Sequence, residues 1–179
     1  MKPFALLAIA VAANLPMLAQ AQHSAYTGQE TRDIKALSAD EVKQYLAGAG
    51  MGFARAAELN RYPGPMHVLE LADKLALTPE QRAATGKLMS EHKAEASAIG
   101  GRMVEAERIL DQLFASGKAD PSALAQQVGR VATLHGEYRL SHLDTHVRMR
   151  AMLTDEQVNR YVALRGYDGG TPLQHKQHH

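Results

Sequence analysis

Three potential metal ligands share one face of a long predicted helix. His142, His146 and Met149 lie at positions i, i+4 and i+7, a spacing that brings side chains to the same side of a helix. Two imidazoles one helical turn apart can bind the same ion, and a thioether adds a soft ligand. The pattern therefore predicts a transition-metal site, provided that a second helix brings further ligands to the same height.

Capping signals locate the helices that must carry these side chains. Thr78 before Pro79, with Gln81 at the third helical position, is typical of a helix start, and Asp120 before Pro121 repeats the arrangement. Apolar residues at steps of three and four extend the two helices to about residues 115 and 152. Shorter helices are expected over residues 38–47, 51–59, 66–76 and 154–166. The sequence thus predicts an all-α fold, a long antiparallel helical hairpin with flanking shorter helices.

The predicted hairpin brings ligands from both long helices together. With a turn near residue 118, residues whose numbers add up to about 236 lie at the same height in an antiparallel pair. His92 and Met89 then lie beside the His142 and His146 turn, and His67 joins them if the preceding helix folds back. The candidate metal ligands are His67, Met89, His92, His142, His146 and Met149.

This ligand set suits copper, zinc, nickel or cobalt better than calcium or magnesium, and the thioethers favour copper. A purely structural role is the alternative, because a histidine on a helix stripe is often a packing residue and methionine is an ordinary gap filler. His175, His178 and His179 near the C-terminus could scavenge metal only weakly.

Composition and the N-terminus limit the classes of function. The apolar run over residues 4–13 and the small-x-small motif Ala19–Ala21 are typical of a cleaved secretory signal, which predicts a periplasmic protein without a membrane anchor after cleavage. The 20 Lys and Arg against 19 Asp and Glu argue against nucleic-acid binding. The absence of Cys excludes thiolate and iron–sulfur chemistry. The Gly-rich tract 48–53 lacks the context of a nucleotide loop, so no organic cofactor is expected.

A repeated motif links the sequence to a known family. Leu77–Gln81 reads Leu-Thr-Pro-Glu-Gln, and Leu153–Gln157 reads Leu-Thr-Asp-Glu-Gln, so two L-T-x-E-Q motifs flank the long hairpin. With the signal segment and the lack of Cys, this arrangement resembles the LTxxQ family of periplasmic proteins, the Spy and CpxP-like chaperones and related heavy-metal sensors. The resemblance covers about residues 66 to 166.

The resemblance implies a hook-shaped helical protein, usually a homodimer, that is not an enzyme. Family members bind unfolded clients without ATP, restrain a membrane signalling partner, or bind metal. In the metal-sensing relatives a His and a Met before the second motif are ligands, and His146 and Met149 match them. Those relatives use two His before the first motif, whereas this chain has His67 alone there.

Four segments and two functions are therefore expected. The segments are a signal peptide (1–21), a polar leader with short helices (22–65) that begins as a mobile stretch, an LTxxQ-like helical domain (66–166), and a disordered His-containing tail (167–179). The first function is a metal-binding protein of the envelope-stress or metal response, and the alternative is an ATP-independent chaperone. A hydrolase is not expected, because Ser141, His142 and Asp144 are near neighbours on one helix and cannot form a relay.

Overall fold

Two long antiparallel helices form the framework, as the sequence predicted. The computed structural model describes residues 25–168, which contain helices and no strand. The predicted signal peptide lies outside the described residues, and so does the predicted tail beyond Asp168. The helices are α1 (Ala39–Leu46), α2 (Arg55–Glu58), α3 (Pro65–Glu70), α4 (Pro79–Ala115), α5 (Pro121–Ala151) and α6 (Asp155–Arg165). Over this range no helix has both the length and the apolar character needed to cross a membrane.

The helix starts follow the predicted capping residues. Ser38, Thr78 and Thr154 each accept a hydrogen bond from the backbone N–H three residues later, and each is answered by the side chain at that position. Asp120 accepts from two backbone N–H groups at the start of α5. These local bonds satisfy amides that the helix itself leaves unpaired, which is why the sequence locates these four starts well.

The two L-T-x-E-Q motifs meet in space through their glutamines. The Gln81 Nε2 group donates to Gln157 Oε1, and the Gln157 Nε2 group donates to Gln81 Oε1, both at 2.9 Å. Gln81 Nε2 also donates to the Met152 carbonyl at 2.9 Å, which joins the start of α4 to the end of α5. Each glutamine thus completes the capping box of its own motif and also forms a hydrogen bond with the glutamine of the other motif.

Side-chain bonds between α4 and α5 fix the predicted register. Gln127 donates to the Ala106 carbonyl at 2.6 Å, Arg102 pairs with Glu137, and Arg148 pairs with Glu91. The numbers of facing residues therefore add up to about 236, as expected for an antiparallel hairpin with this turn.

Buried apolar side chains form two separate clusters along the hairpin. The first cluster contains Ile34, Leu37, Tyr45, Ala96, Ile99, Met103, Val104, Ala106, Leu134 and Tyr138. The second cluster contains Val68, Leu75, Leu88, Met149, Leu153, Val158 and Tyr161. On α4 the first cluster begins at Ala96 and the second ends at Leu88, so about two helical turns, with His92 in the middle, separate them.

The leader packs more closely than the sequence suggested. A mobile stretch was expected through residue 37, whereas Ile34 and Leu37 are 2% and 9% exposed and belong to the first cluster. Lys35 also pairs with Asp111 of α4 at 3.2 Å. Two isolated apolar residues in a polar stretch give no periodicity, and for that reason their burial was not predicted.

The end of α1 lies directly on the backbone of α4 at Gly100. A Cβ atom at Gly100 would lie 2.0 Å from the Tyr45 carbonyl oxygen, whereas a Cβ at Gly101 would meet no heavy atom within 4 Å. Gly100 therefore allows a close approach between two helices that any side chain would prevent.

We expect Gly100→Ala to destabilise the fold by more than about 2 kcal/mol, because the added methyl group must displace backbone atoms of α1. Gly101→Ala is the matched control, and it should be neutral or stabilising by up to about 1 kcal/mol through helix propensity. Urea unfolding followed by circular dichroism measures both values. Equal effects of the two substitutions would contradict the close packing of α1 on α4.

We expect Gln81→Ala and Gln157→Ala each to cost about 1–2 kcal/mol, since each removes a cap bond and leaves partners unpaired. The double variant should lose less than the sum of the two single losses, with a coupling of roughly 0.5–3 kcal/mol. A double-mutant cycle from urea unfolding checks this expectation. Strict additivity would show that the two motifs act independently.

Candidate metal centre

The hairpin register brings His92 of α4 against His142 of α5. Their ring centroids lie 4.5 Å apart in an edge-to-face arrangement. His92 follows Leu88 of the second apolar cluster by one turn, and His142 follows Tyr138 of the first by one turn. The two imidazoles thus form a polar layer between two apolar clusters.

This layer opens into a cavity of about 350 Å³. Its floor comes from α4 and α5, and its walls come from the two loop segments that precede α2 and α3. The lining residues are Ala47, Gly48, Ala49, Gly50, Gly64, Pro65, Met66, Met89, His92, Lys93, His142, Thr145 and His146. The cavity therefore collects three imidazoles and two thioethers.

Hydrogen bonds determine which nitrogens of two imidazoles are available. His142 Nδ1 lies 2.9 Å from the Tyr138 carbonyl oxygen, and His146 Nδ1 lies 2.7 Å from the Tyr62 carbonyl oxygen. A carbonyl oxygen only accepts, so Nδ1 carries the proton in both rings and Nε2 has the free lone pair. A backbone carbonyl that fixes a histidine in this way is the usual support of a metal-binding imidazole.

Two ring nitrogens in this layer are buried without a hydrogen-bond partner. They are Nδ1 of His92 and Nε2 of His142, and the two residues are 9% and 4% exposed. Leaving a buried donor or acceptor unpaired costs about 1–3 kcal/mol. These two nitrogens therefore have bonding capacity that the described residues leave unsatisfied.

Burial also keeps the two imidazoles neutral. Desolvation, with smaller effects of His142 and His146, lowers the pKa of His92 to about 4. Desolvation likewise lowers the pKa of His142, although the backbone carbonyls of Tyr138, Ala49 and Gly48 oppose the shift. A neutral imidazole keeps the lone pair that a metal ion needs.

A half-buried carboxylate supports the third imidazole from outside the cavity. Glu58 Oε1 accepts the Tyr161 hydroxyl at 2.5 Å, and Glu58 Oε2 accepts the Gly64 backbone N–H at 3.2 Å. Glu58 Oε2 also lies 3.7 Å from His146 Nδ1. Desolvation and this carboxylate raise the pKa of Tyr161, so the hydroxyl keeps its proton and remains a donor. Glu58 therefore links the cavity wall to α6.

The ligands predicted from sequence divide into two groups. Met89, His92, His142 and His146 line the cavity. His67 is not part of the lining, and its Nδ1 pairs with Glu70 at 2.8 Å. Met149 is fully buried in the second apolar cluster. The expected convergence of all six residues on one site is thus not observed.

The structure adds Met66, which the sequence analysis missed. Helix α3 begins with Pro65 in its first turn, and Met66 rather than His67 reaches the cavity. Adjacent helical residues point about 100° apart, so a small difference in the phase of α3 exchanges one side chain for the other. The Gly64-Pro65 pair, a helix-start signal, was the available clue.

The arrangement supplies fewer imidazole ligands than the sequence suggested, three in place of four. Within residues 25–168, no three or more His, Asp or Glu side chains lie close enough together to hold an ion. The site is thus a buried pair of imidazoles, with a third imidazole and two thioethers on the cavity walls.

A family comparison agrees with this reading of the chain. Residues 45–160 match the family model described as heavy-metal resistance, and this range includes the cavity and both motifs. No curated protein and no solved structure matches the sequence. The chain therefore belongs to the heavy-metal resistance family, the periplasmic group that carries LTxxQ motifs.

Proposed function

We propose that this protein binds a transition-metal ion in the cavity between α4 and α5, and acts in heavy-metal resistance or sensing as an exported, non-enzymatic protein. One observation carries the proposal: two buried, neutral imidazoles present nitrogens without partners in a cavity of this heavy-metal resistance protein. Buried polar atoms are normally paired, and exceptions often mark sites of function.

In this proposal, His92 and His142 hold the ion. The Tyr138 carbonyl fixes the His142 ring with Nε2 available, and Tyr62 orients His146 on the cavity wall. A bound ion would supply positive charge and link the two long helices at the point where apolar packing is interrupted. Metal binding would thus change the stability of the hairpin, which a signalling partner in the membrane could detect.

Export remains part of the proposal. The N-terminal segment has the pattern of a cleaved signal. A homodimer is the expected assembly, on the resemblance to the metal-sensing relatives.

We expect copper, zinc, nickel or cobalt to raise the midpoint of thermal unfolding, because a ligand that binds the native state stabilises it. At 100 times the dissociation constant the gain is about 2.7 kcal/mol, or roughly 5–10 °C. The experiment uses a chain in which His175, His178 and His179 are replaced by Ala, so that the tail does not contribute. Differential scanning calorimetry after treatment with a chelator gives the metal-free reference.

The double variant His92→Ala with His142→Ala should lose this shift, and His67→Ala should keep it. His67 is the matched control, because it is an imidazole on a neighbouring helix outside the cavity lining. Circular dichroism verifies that each variant is helical. If metal raised the unfolding midpoint of the double variant as much as that of the parent, the ion would bind at another site. If none of the four metals raised the midpoint of the parent chain, the proposed function would be contradicted.

An ATP-independent chaperone is the second candidate. Large apolar side chains remain exposed on the long helices, including Phe114, Leu140 and Val147 at 60%, 64% and 53% exposure. Exposed apolar surface of this kind can hold unfolded chains.

If the protein is a chaperone, excess protein should suppress light scattering by an aggregating client. Leu140→Ser with Val147→Ser should weaken the suppression, since the variant removes apolar surface without touching the core. No suppression at excess protein would exclude this candidate.

A further inference from the structure

The donor atoms of the cavity indicate which class of metal ion it suits. Structural zinc sites in proteins are almost always built from four N, O or S ligands, and nickel shares the preference for imidazole donors. Here the described residues offer no group of three His, Asp or Glu side chains able to share an ion. In the cavity lining, the buried ring nitrogens without a hydrogen-bond partner are Nδ1 of His92 and Nε2 of His142.

Besides the imidazole of His146, the remaining side-chain donors that distinguish this cavity are two soft thioethers. Met89 lies on α4 one turn before His92 and is half-buried, and Met66 lies at the cavity mouth with 48% exposure. Thioether sulfur is polarizable and selects soft ions such as Cu(I). Two imidazoles with one or two thioethers provide three or four donor atoms. A monovalent d¹⁰ ion such as Cu(I) or Ag(I) is stable with so few ligands.

The charge of the cavity favours a monovalent ion as well. Its lining contains no Asp or Glu, and its single charged side chain is that of Lys93. The carboxylate of Glu58 lies on the Nδ1 side of His146 and is not part of the lining. A divalent ion would enter a desolvated space without a counter-charge, which is costly, and a monovalent ion bears a smaller penalty.

We propose that this cavity is selective for a soft monovalent d¹⁰ ion, Cu(I) or Ag(I), bound by the imidazoles of His92 and His142 and the thioether of Met89, with Met66 as a second thioether at the mouth. The inference rests on the proposed function, because it specifies the metal for the same cavity. It assigns Met66 and Met89 as soft ligands, and it leaves His67 and Met149 outside the site.

The test compares Ag(I) with Zn²⁺ on the chain whose three tail histidines are replaced by Ala. Ag(I) is stable in air and has the softness and charge of Cu(I), and anaerobic Cu(I) competition with a chromophoric chelator repeats the measurement. We expect one Ag(I) per chain, bound more tightly than Zn²⁺ in calorimetric titration. The methyl resonance of Met89 should move on Ag(I) addition in a ¹H–¹³C NMR spectrum.

Met89→Leu should lower Ag(I) affinity by about tenfold or more, since loss of a ligand costs at least as much as loss of a supporting residue. Leucine conserves volume, so the fold should be retained. Met149→Leu is the matched control, because Met149 is a fully buried methionine of the neighbouring apolar cluster. Its affinity for Ag(I) should equal that of the parent chain.

Each other outcome overturns a stated part of the inference. Tighter binding of Zn²⁺, Ni²⁺ or Co²⁺ through His92 and His142 would refute the soft-ion selectivity and leave the proposed function intact. Binding of Ag(I) that is unaffected by Met89→Leu, or weakened by Met149→Leu alone, would refute the assigned thioether. The absence of binding of every metal would refute both the inference and the proposed function.

Discussion

The reciprocal amide pair of Gln81 and Gln157 is the constraint on which the geometry of the cavity depends. Each side chain accepts from the backbone N–H of its own capping threonine and exchanges a hydrogen bond with the other glutamine. Gln81 also holds the Met152 carbonyl at the end of α5. The first turn of α4 and the last turn of α5 are thereby fixed at one height. His92 lies eleven residues beyond Gln81, or about 16 Å along the helix at 1.5 Å per residue, so the amide pair determines which turn of α5 it meets.

The imidazole layer interrupts what would otherwise be a continuous apolar core. Tyr138 ends the first cluster on α5, and Met149 belongs to the second, with His142 and Thr145 buried between them. Thr145 satisfies its hydroxyl by donating to the Ser141 carbonyl at 2.8 Å. His92 and His142 differ from Thr145, because each has one buried ring nitrogen without a hydrogen-bond partner. A leucine in either position would be simpler to bury, which supports a ligand-binding role over a packing role.

The success of sequence reasoning depended on how local each determinant is. The helix starts at Ser38, Thr78 and Thr154 rest on side chains three residues apart, and the register of the hairpin follows from one short turn, so both were predicted correctly. The contact of His92 with His142 followed from that register. The contribution of Met66 in place of His67 could not be derived, because it depends on the rotation of α3. Glu58 was missed for a similar reason: it contacts Tyr161 from 103 residues away, and no local pattern signals that contact.

Binding free energy can offset the cost that the layer imposes on the fold. Two buried ring nitrogens without partners destabilise the metal-free chain by about 1–3 kcal/mol each. An ion present at 100 times its dissociation constant raises the free energy of unfolding by about 2.7 kcal/mol, and one at 1,000 times raises it by about 4.1 kcal/mol. These magnitudes are comparable, so occupancy of the cavity would shift the hairpin between a weakened and a reinforced form. Because Glu58 joins the cavity wall to Tyr161 of α6, the same change would extend to the helix that carries the second motif, where the amide pair lies.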